Sequence, residues 1–566
     1  MQTTKSTQGL TRFIPILGWL PEYPSKWLRL DLVAGLSTAA VLIPQSMAYA
    51  TIAGLPVEMG LYTPMVLMVV YAVLGTSRVL VVSATSTISI LTAATLAPVI
   101  QSGDSTSYLT ATATLALLVG AFLFLAGVLR LGVLANLISR PVLTGFKAGV
   151  GVVIFVSQIA KVLGVSIEKA PIIETVLALL QSLDDIHWVT FSVALVTLAV
   201  LIFLPRLTRR VPASLVAVLF GIGASVLLNL EARGVALVGD IPSGLPSLTI
   251  PDIGLVSQLW PGALGIALMA FIESIAAGRT FIEKGDPRIN ANQELRALGV
   301  ANVIGGFFQA YSGGGSTSRT AVNRRAGART QLSTIVVSIT IALTLLLLAS
   351  IIGLMPKATL GAMVIVVGAG LISRKDFRDI RRIRYTEFIW AIIAFLGVVL
   401  IGTMEGILIA VFISILTLFI QASFPPVYAM GRKPGTDVFR PLSSDHPDDE
   451  TFPGLLMVRT EGRMTFASAP NTSDEFWDLI REFNPQILAL DCSAIPDWEY
   501  TALEMLTEAE ENLSDQGITL WLAALNPEPL RVIWKTPLGE TLGESRLFHN
   551  LEQAVEAYQA QYLKGG

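Results

Sequence analysis

The stretch "SGGGSTSRTAVNRRAG" (Ser312–Gly327) lies between two long apolar runs and interrupts them with glycines, hydroxyl side chains and Arg319. Such residues are poor material for a helix that faces lipid. An unpaired backbone group inside hydrocarbon costs several kcal/mol, so irregular backbone occurs in a membrane only where protein or water satisfies it. The stretch therefore predicts a broken membrane span that has a function.

The composition of the whole chain is that of a membrane protein. Of its 566 residues, 53% are hydrophobic and 14% are charged, whereas soluble domains carry about 25% charged residues. The net charge of −3 gives no indication of nucleic-acid binding. The single cysteine, Cys492, excludes an intramolecular disulfide framework and a thiolate metal cluster. We expect no metal, no cofactor and no enzymatic activity.

Apolar runs of about 20 residues, the length that crosses a bilayer, follow one another from residue 31 to 423 and predict about fourteen spans. The spans that begin near Ser83 and Ser316 are short or start with hydroxyl-rich sequence. They occupy corresponding positions if the domain consists of two halves of about seven spans, at about 31–230 and 262–423. "SATSTIS" (83–89) and "GGSTSRT" (314–320) resemble each other, so we predict an inverted repeat.

Basic residues of the connecting segments predict the orientation. Arg324, Arg325 and the run "SRKDFRDIRRIR" (373–384) fall on the same side as the N-terminus, which indicates the cytoplasm. Residues 1–30, with Trp19 and Trp27, are expected to form a cytoplasmic interfacial segment. The even number of spans places both termini on one side, which the basic residues indicate to be the cytoplasm. We expect a protein of the cytoplasmic (inner) membrane.

The character of the chain changes after residue 423. Residues 424–452 are rich in Pro, Gly and Asp and are predicted to be a linker. In 453–566, strand-like runs such as "GLLMVRT" and "QILALDCS" alternate with helical patterns. This alternation predicts a small soluble α/β domain.

The two broken spans are candidates for an anion site. A half-helix that begins inside the membrane leaves its first N–H groups unpaired and exposes the positive end of its dipole, and two such ends facing each other would bind an anion. The hydroxyls of Thr85, Ser86 and Ser318 lie at the predicted helix starts. Alternatively, the hydroxyls bond to backbone carbonyls and the glycines permit close helix packing.

Ionisable residues inside spans are rare and usually functional. Arg319 adds positive potential beside the proposed site, or else forms a structural ion pair or reaches the cytoplasmic face. Glu273, flanked by apolar residues, is a candidate proton carrier or a partner of Arg319 in a salt bridge. Gln45 and Tyr49, four residues apart on one helical face, are candidates to line the site.

These stretches together resemble the SulP family of anion transporters, the sulfate permeases. The match is carried by "DLVAGLSTAAVLIPQSMAYATIAGLPVEMGLYTP" (31–64) and "NQELRALGVANVIGGFFQAYSGGGSTSRT" (292–320). The C-terminal domain resembles the STAS domain through "ILALDCSAIPDWEYTALEML" (487–506). One departure is that the third span reads Ser83-Ala84 where the family commonly has Gly-Pro.

The resemblance implies an α-helical polytopic protein with fourteen spans in a seven-plus-seven inverted repeat, divided into core and gate domains. It implies an elevator-like motion, a homodimer and an anion held between the two half-helices. The implied anion ligands are Gln45, Tyr49, Thr85, Ser86, Ser318 and Arg319. Glu273 is implied as the coupling carboxylate, with H⁺ rather than Na⁺ as the coupled ion.

We therefore expect a secondary active transporter that moves a small oxyanion, sulfate in the first place, with H⁺. A bicarbonate or dicarboxylate carrier of the same fold, and an anion exchanger or channel, are alternatives. A sensor whose membrane part only anchors the STAS-like domain is a third class, which the ionisable residues within the spans disfavour. The STAS-like domain is a candidate docking site for a cytoplasmic regulator.

Overall fold

The structure, a computed structural model, describes residues 13–99, 105–136, 139–167, 172–208 and 211–563. Residues 1–12 of the predicted interfacial segment lie outside the described residues. The chain divides into two compact units, Met1–Ser414 and Ile415–Gly566.

The first half of the membrane unit contains helices and one short strand. In chain order they are α1 (Ile16–Trp19), α2 (Ser25–Ala53), α3 (Val57–Leu74), β1 (Val82–Ser83), α4 (Ser86–Leu96), α5 (Ser105–Val128), α6 (Arg140–Leu163), α7 (Ile172–Gln181), α8 (Trp188–Leu207) and α9 (Ala213–Leu228).

The second half repeats this order. Its elements are α10 (Val256–Thr280), α11 (Ala291–Phe307), β2 (Gly314–Gly315), α12 (Thr317–Arg325), α13 (Leu332–Leu347), α14 (Ala349–Gly353), α15 (Lys357–Gly370), α16 (Arg374–Ile383), α17 (Tyr385–Leu396) and α18 (Thr403–Ser423). Apart from the four-residue α1, two helices in each half precede a two-residue strand and a short helix.

Every predicted span has a helix at its position. Among the described residues, 8 helices are long and apolar enough to cross a membrane. The helices at the two broken spans are short, with 11 residues in α4 and 9 in α12. Both begin within the hydroxyl clusters 85–87 and 316–318 predicted to start the half-helices, α4 at Ser86 and α12 at Thr317.

The helices of the membrane unit pack in two groups. Helices α2–α5 pack mainly against one another and against α10–α13. If the short α1 is left aside, the first four helices of each half therefore form one group. Helices α6, α8, α9, α15 and α17 pack mainly among themselves and form the second group. Helices α2 and α4 also contact the second group, so they lie at the boundary between the groups.

The second unit is built on a six-stranded sheet with strand order β4-β3-β5-β6-β7-β8. The strands are β3 (Val427–Arg432), β4 (Phe439–Pro441), β5 (Leu455–Thr460), β6 (Ile487–Asp491), β7 (Thr519–Ala523) and β8 (Leu547–Phe548). Strands β5 to β8 pair in parallel, and β3 pairs antiparallel with both β4 and β5. The helices are α19 (Ala469–Phe483), α20 (Tyr500–Asp515), α21 (Pro527–Ile533), α22 (Pro537–Leu542) and α23 (Leu551–Tyr558).

The structure differs from the prediction in the segment 424–452. Instead of a linker, this segment contributes β3 and β4, and Val427, Tyr428 and Ala429 pair with β5. Of the residues that suggested a linker, Pro434, Gly435 and Asp437 lie in the turn between β3 and β4, whereas Gly431 and Pro441 lie within the strands. The α/β sheet therefore begins before the predicted boundary at residue 453.

Cys492 follows β6 in the core of the α/β unit and is fully buried. Burial, together with the negative charge of Asp491, raises the pKa of its thiol well above the usual value. Because the thiolate is the reactive form, this cysteine is an inert part of the core.

Candidate anion-binding site

The two broken spans meet through their strands. β1 and β2 run antiparallel, with Val82 opposite Gly315 and Ser83 opposite Gly314. The ladder continues through Ser316, whose amide nitrogen donates to the carbonyl oxygen of Val81 at 3.0 Å. The hydroxyl of Thr320 accepts from the amide nitrogen of Val81 at 3.1 Å. As a result, α4 and α12 start from the two strands of one ladder.

Glycine is required in β2 because α10 lies directly against it. A Cβ atom on Gly314 would stand 2.9 Å from the carbonyl oxygen of Ala270, and one on Gly315 would stand 2.7 Å from the Cα atom of Ser274. The Ser274 hydroxyl also accepts a hydrogen bond from the amide nitrogen of Gly315 at 2.6 Å. The glycines thus let α10 approach the strand pair at backbone distance.

The start of α4 is capped and connected to Glu273. The Thr85 hydroxyl accepts from the amide nitrogen of Ile88 at 3.3 Å, as expected for an N-cap threonine. The same hydroxyl donates to Glu273 Oε2 at 2.8 Å. Ser86, the first residue of α4, is buried. The strand and cap form here although Ser83-Ala84 replaces the Gly-Pro pair common in the family.

Arg319, in the first turn of α12, is buried, with 1% of its surface exposed. Its Nε donates to Gln45 Oε1 at 3.3 Å, and its Nη1 donates to the Ser83 hydroxyl. Its guanidinium lies over the ring of Tyr49, 4.7 Å from the centroid. Nη2 is buried and has no hydrogen-bond partner among the described residues.

The surroundings of Arg319 argue against the two structural roles predicted as alternatives, an ion pair and contact with the cytoplasmic face. They are neutral oxygens and an aromatic ring, and within the described ranges no carboxylate lies within ion-pair distance of the guanidinium. The side chain is buried, so it does not reach the aqueous face. A buried guanidinium with an unpaired N–H donor at a helix N-terminus is suited to bind an anion.

Glu273 pairs with a residue that the sequence analysis did not single out. Its Oε1 lies 3.5 Å from Nζ of Lys147, a side chain with 33% of its surface exposed. Lys147 belongs to α6 in the second helix group, and Glu273 belongs to α10 in the first. The predicted Glu273–Arg319 pair is therefore replaced by an ion pair that joins the two groups of helices.

The structure brings most of the predicted site residues into contact. Gln45 and Tyr49 meet at Arg319, while Thr85 meets Glu273. Ser318 differs, since its side chain is exposed and its hydroxyl lies 3.4 Å from that of Ser316.

Two further residues contact the predicted set. Ser83 binds Arg319, and Lys147 binds Glu273. Lys147 carried a signal in the sequence, because it is an ionisable residue within a predicted span. Ser83 appeared in the similar motifs of the two halves.

These observations define a class: a polytopic helical membrane protein with a buried cationic site between two half-helices, followed by an α/β domain. The sequence model of the Sulfate permease family matches residues 28–394, and that of the STAS domain matches residues 446–554. The chain belongs to the sulfate permease family. The predicted family resemblance is confirmed.

Relatives match along nearly the whole chain. "Probable sulfate transporter MT1781" of Mycobacterium tuberculosis is 34% identical over 552 residues, covering 96% of this chain and 98% of the relative. "High affinity sulfate transporter 1" of Stylosanthes hamata is 29% identical, covering 97% and 86%.

Solved structures share the fold. The overall structure of SLC26A9 aligns with a TM-score of 0.88 and 23% identity, covering 99% of this chain and 94% of that one. The transmembrane domain of the cyanobacterial bicarbonate transporter BicA aligns with a TM-score of 0.60 and 23% identity, covering 68% of this chain and 98% of that one. The predicted polytopic helical fold with a C-terminal α/β domain is confirmed.

The close contact between β2 and α10 gives a prediction for Gly315→Ala. The added methyl meets backbone and forces a shift, and overpacking of this kind costs about 1–3 kcal/mol. We expect a lower apparent melting temperature and weaker binding of labelled sulfate. Gly223→Ala, where an added Cβ meets nothing within 4 Å, is the matched control and should leave both unchanged. Unaltered sulfate binding by Gly315→Ala would show that close packing here is dispensable.

Proposed function

We propose that this protein is a secondary active transporter that carries a small oxyanion, sulfate in the first place, together with H⁺ across the cytoplasmic membrane. The anion lies between the N-termini of α4 and α12. The mechanism is alternating access of the elevator type, in which the helix group that holds the site moves against the other group.

The observation that carries this proposal is the environment of Arg319. The side chain is buried, it lacks a carboxylate partner among the residues described, and its Nη2 donor is unpaired. A buried charge of this kind costs free energy unless a counter-charge satisfies it. An oxyanion supplies both the charge and the acceptor lone pairs. The sulfate transporter names of the relatives agree with this substrate class.

The surrounding groups assist in a defined way. The first N–H groups of α4 and α12 point toward the space at the helix starts and favour negative charge there. Gln45 and Tyr49 hold the guanidinium in place on the α2 side. The site therefore recognises charge and hydrogen-bond acceptors, properties that sulfate shares with bicarbonate and dicarboxylates such as fumarate and succinate.

The contacts of Glu273 support a role for this residue in coupling anion transport to protons. As a carboxylate it accepts from Thr85 at the start of α4 and pairs with Lys147 of the other helix group. Protonation removes the charge that attracts Lys147 and so releases the tie between the two groups. Because Thr85 also caps α4, the protonation state of Glu273 is communicated to the anion site.

The remaining features rest on the family resemblance and the distribution of basic residues. We propose that both termini are cytoplasmic, that the protein is a homodimer, and that the STAS domain binds a cytoplasmic regulator. An anion exchanger or channel of the same fold is the alternative that the transport experiment addresses.

The proposed function predicts proton-driven accumulation of sulfate. Purified protein in liposomes with an acidic exterior should concentrate labelled sulfate above the external level, and dissipating the pH gradient should abolish this uptake. Bicarbonate and fumarate, tested in parallel, identify the alternative substrates. If the internal concentration of each of these anions never rises above the external concentration, the result would indicate a channel.

Glu273→Gln tests the coupling role. The amide keeps a similar shape and can still accept from Thr85, but it neither ionises nor attracts Lys147. We expect the variant to exchange sulfate down its gradient and to lose accumulation driven by pH. Glu387→Gln serves as the control, because Glu387 is a half-buried carboxylate that pairs with Arg384 at 3.9 Å and contacts none of the site residues. If Glu273→Gln still accumulates sulfate in response to a pH gradient, Glu273 has no role in coupling transport to protons.

Arg319→Ala tests the anion site. A hydrogen bond to a charged group contributes about 1.5–3 kcal/mol, so sulfate should bind roughly 10- to 100-fold more weakly. Binding of labelled sulfate and the melting temperature without sulfate are measured together, with exposed Arg378→Ala as the control. A loss of stability that accounts for the loss of binding would assign Arg319 a structural role.

A further inference from the structure

Two adjoining cavities lie where α1 packs against the ends of the membrane helices. The smaller, of about 160 Å³, is lined by Phe13, Arg130, Asn290, Asn292, Gln293 and Arg296. The larger, of about 310 Å³, lies between the segment Pro15–Trp19 and the loops at 75–78 and 287–290. Asn290 and Gln293 line both cavities, so the two cavities adjoin at these residues.

The lining of these cavities is strongly basic. Arg130 and Arg296 line the smaller cavity, and Arg78 and Arg288 line the larger one. None of the lining residues is acidic. Glu294, next to Gln293 in sequence, lines neither cavity: it accepts from the Tyr71 hydroxyl and from the amide nitrogen of Thr76, a residue in the wall of the larger cavity, each at 2.7 Å. The site therefore favours an anion.

Buried polar atoms at the site lack partners. Gln293 is 4% exposed, and its Nε2 donates to the carbonyl oxygens of Phe13 and Leu74, both at 2.9 Å. Its Oε1 and the Nε of Arg78 are buried without a hydrogen-bond partner within the described part of the chain. The site thus combines one unsatisfied donor with one unsatisfied acceptor, a pairing that a ligand with both an anionic group and a hydroxyl would complete.

The neighbouring segment has the composition of a membrane interface. Three aromatic rings contact one another in order along this segment, those of Trp19, Tyr23 and Trp27. The ring centroids of each adjacent pair are 6.3 Å apart, and the rings meet tilted or edge to face. Phe13, Leu17 and Leu20 are exposed. Trp and Tyr are enriched at the level of lipid headgroups, and basic pockets between membrane helices bind anionic headgroups.

We propose that these cavities bind a phosphate ester that carries a hydroxyl group, with the headgroup of an anionic phospholipid such as phosphatidylglycerol as its source. The phosphate lies among Arg78, Arg130, Arg288 and Arg296. A headgroup hydroxyl donates to Oε1 of Gln293. The site shares no residue with the anion site at Arg319, so it is a separate site.

Binding is tested with the purified full-length protein in neutral detergent. Phosphatidylglycerol is titrated in, and its dissociation constant is taken from the rise in apparent melting temperature. Phosphatidylcholine, glycerol phosphate and inorganic phosphate are tested at the same concentrations. We expect saturable stabilisation by phosphatidylglycerol only.

The variant Arg130→Gln/Arg288→Gln removes two exposed arginines of the site. Each basic residue near an anionic lipid surface contributes about fivefold, so phosphatidylglycerol should bind about 25-fold more weakly. Arg378→Gln, exposed and outside both cavities, should bind like the wild type. The lipid-free melting temperature of each variant checks its folding.

Equal affinity of the wild type and the double variant for phosphatidylglycerol, or equal stabilisation by phosphatidylcholine, overturns the proposal. Stabilisation by glycerol phosphate that matches phosphatidylglycerol and is lost in the double variant supports the site but assigns it a soluble phosphate ester. These outcomes do not depend on sulfate transport, so they are distinguishable from failure of the proposed function.

Discussion

The antiparallel pairing of Val82–Ser83 with Gly314–Gly315 is the contact on which the rest of the membrane unit depends. Backbone that leaves the helical conformation inside a bilayer must find its hydrogen bonds within the protein. Here each half of the chain supplies the partner for the other. The same pairing fixes where α4 and α12 begin and therefore where their positive ends lie. Fold and site consequently share one constraint.

The charged side chains near this strand pairing differ in whether the protein neutralises them. Arg319 is held by uncharged partners, so its charge is not cancelled by the protein. Glu273 and Lys147 neutralise each other across the boundary between the helix groups. Thr85 connects the Glu273–Lys147 pair to the half-helix α4, because it caps α4 and also donates to Glu273. The carboxyl group is thereby linked by hydrogen bonds to the start of this half-helix.

Much of this architecture was readable from the sequence, and the failures have physical causes. Apolar runs and the similarity of residues 83–89 to 314–320 indicated the spans and the two half-helices, because hydrocarbon allows few kinds of backbone. The proximity of Gln45 to Arg319 followed from the family motif. Lys147 was missed because the partner of Glu273 depends on how the second helix group, which contains α6, meets the first group, and no local pattern encodes this. β3 and β4 were missed because their pairing with distant strands outweighs the turn-forming composition of 424–452.

The separation of the two strands along the chain has a consequence for biosynthesis. The bond between Val81 and Thr320 joins residues 239 positions apart. The strand of the first half therefore emerges from the ribosome long before its partner exists. Until the second half arrives, its amide and carbonyl groups need temporary partners from water, the insertion machinery or lipid headgroups. The spans of the first half therefore enter the membrane as an incomplete bundle, and β1 and α4 reach their final pairing only after β2 and α12 have been made.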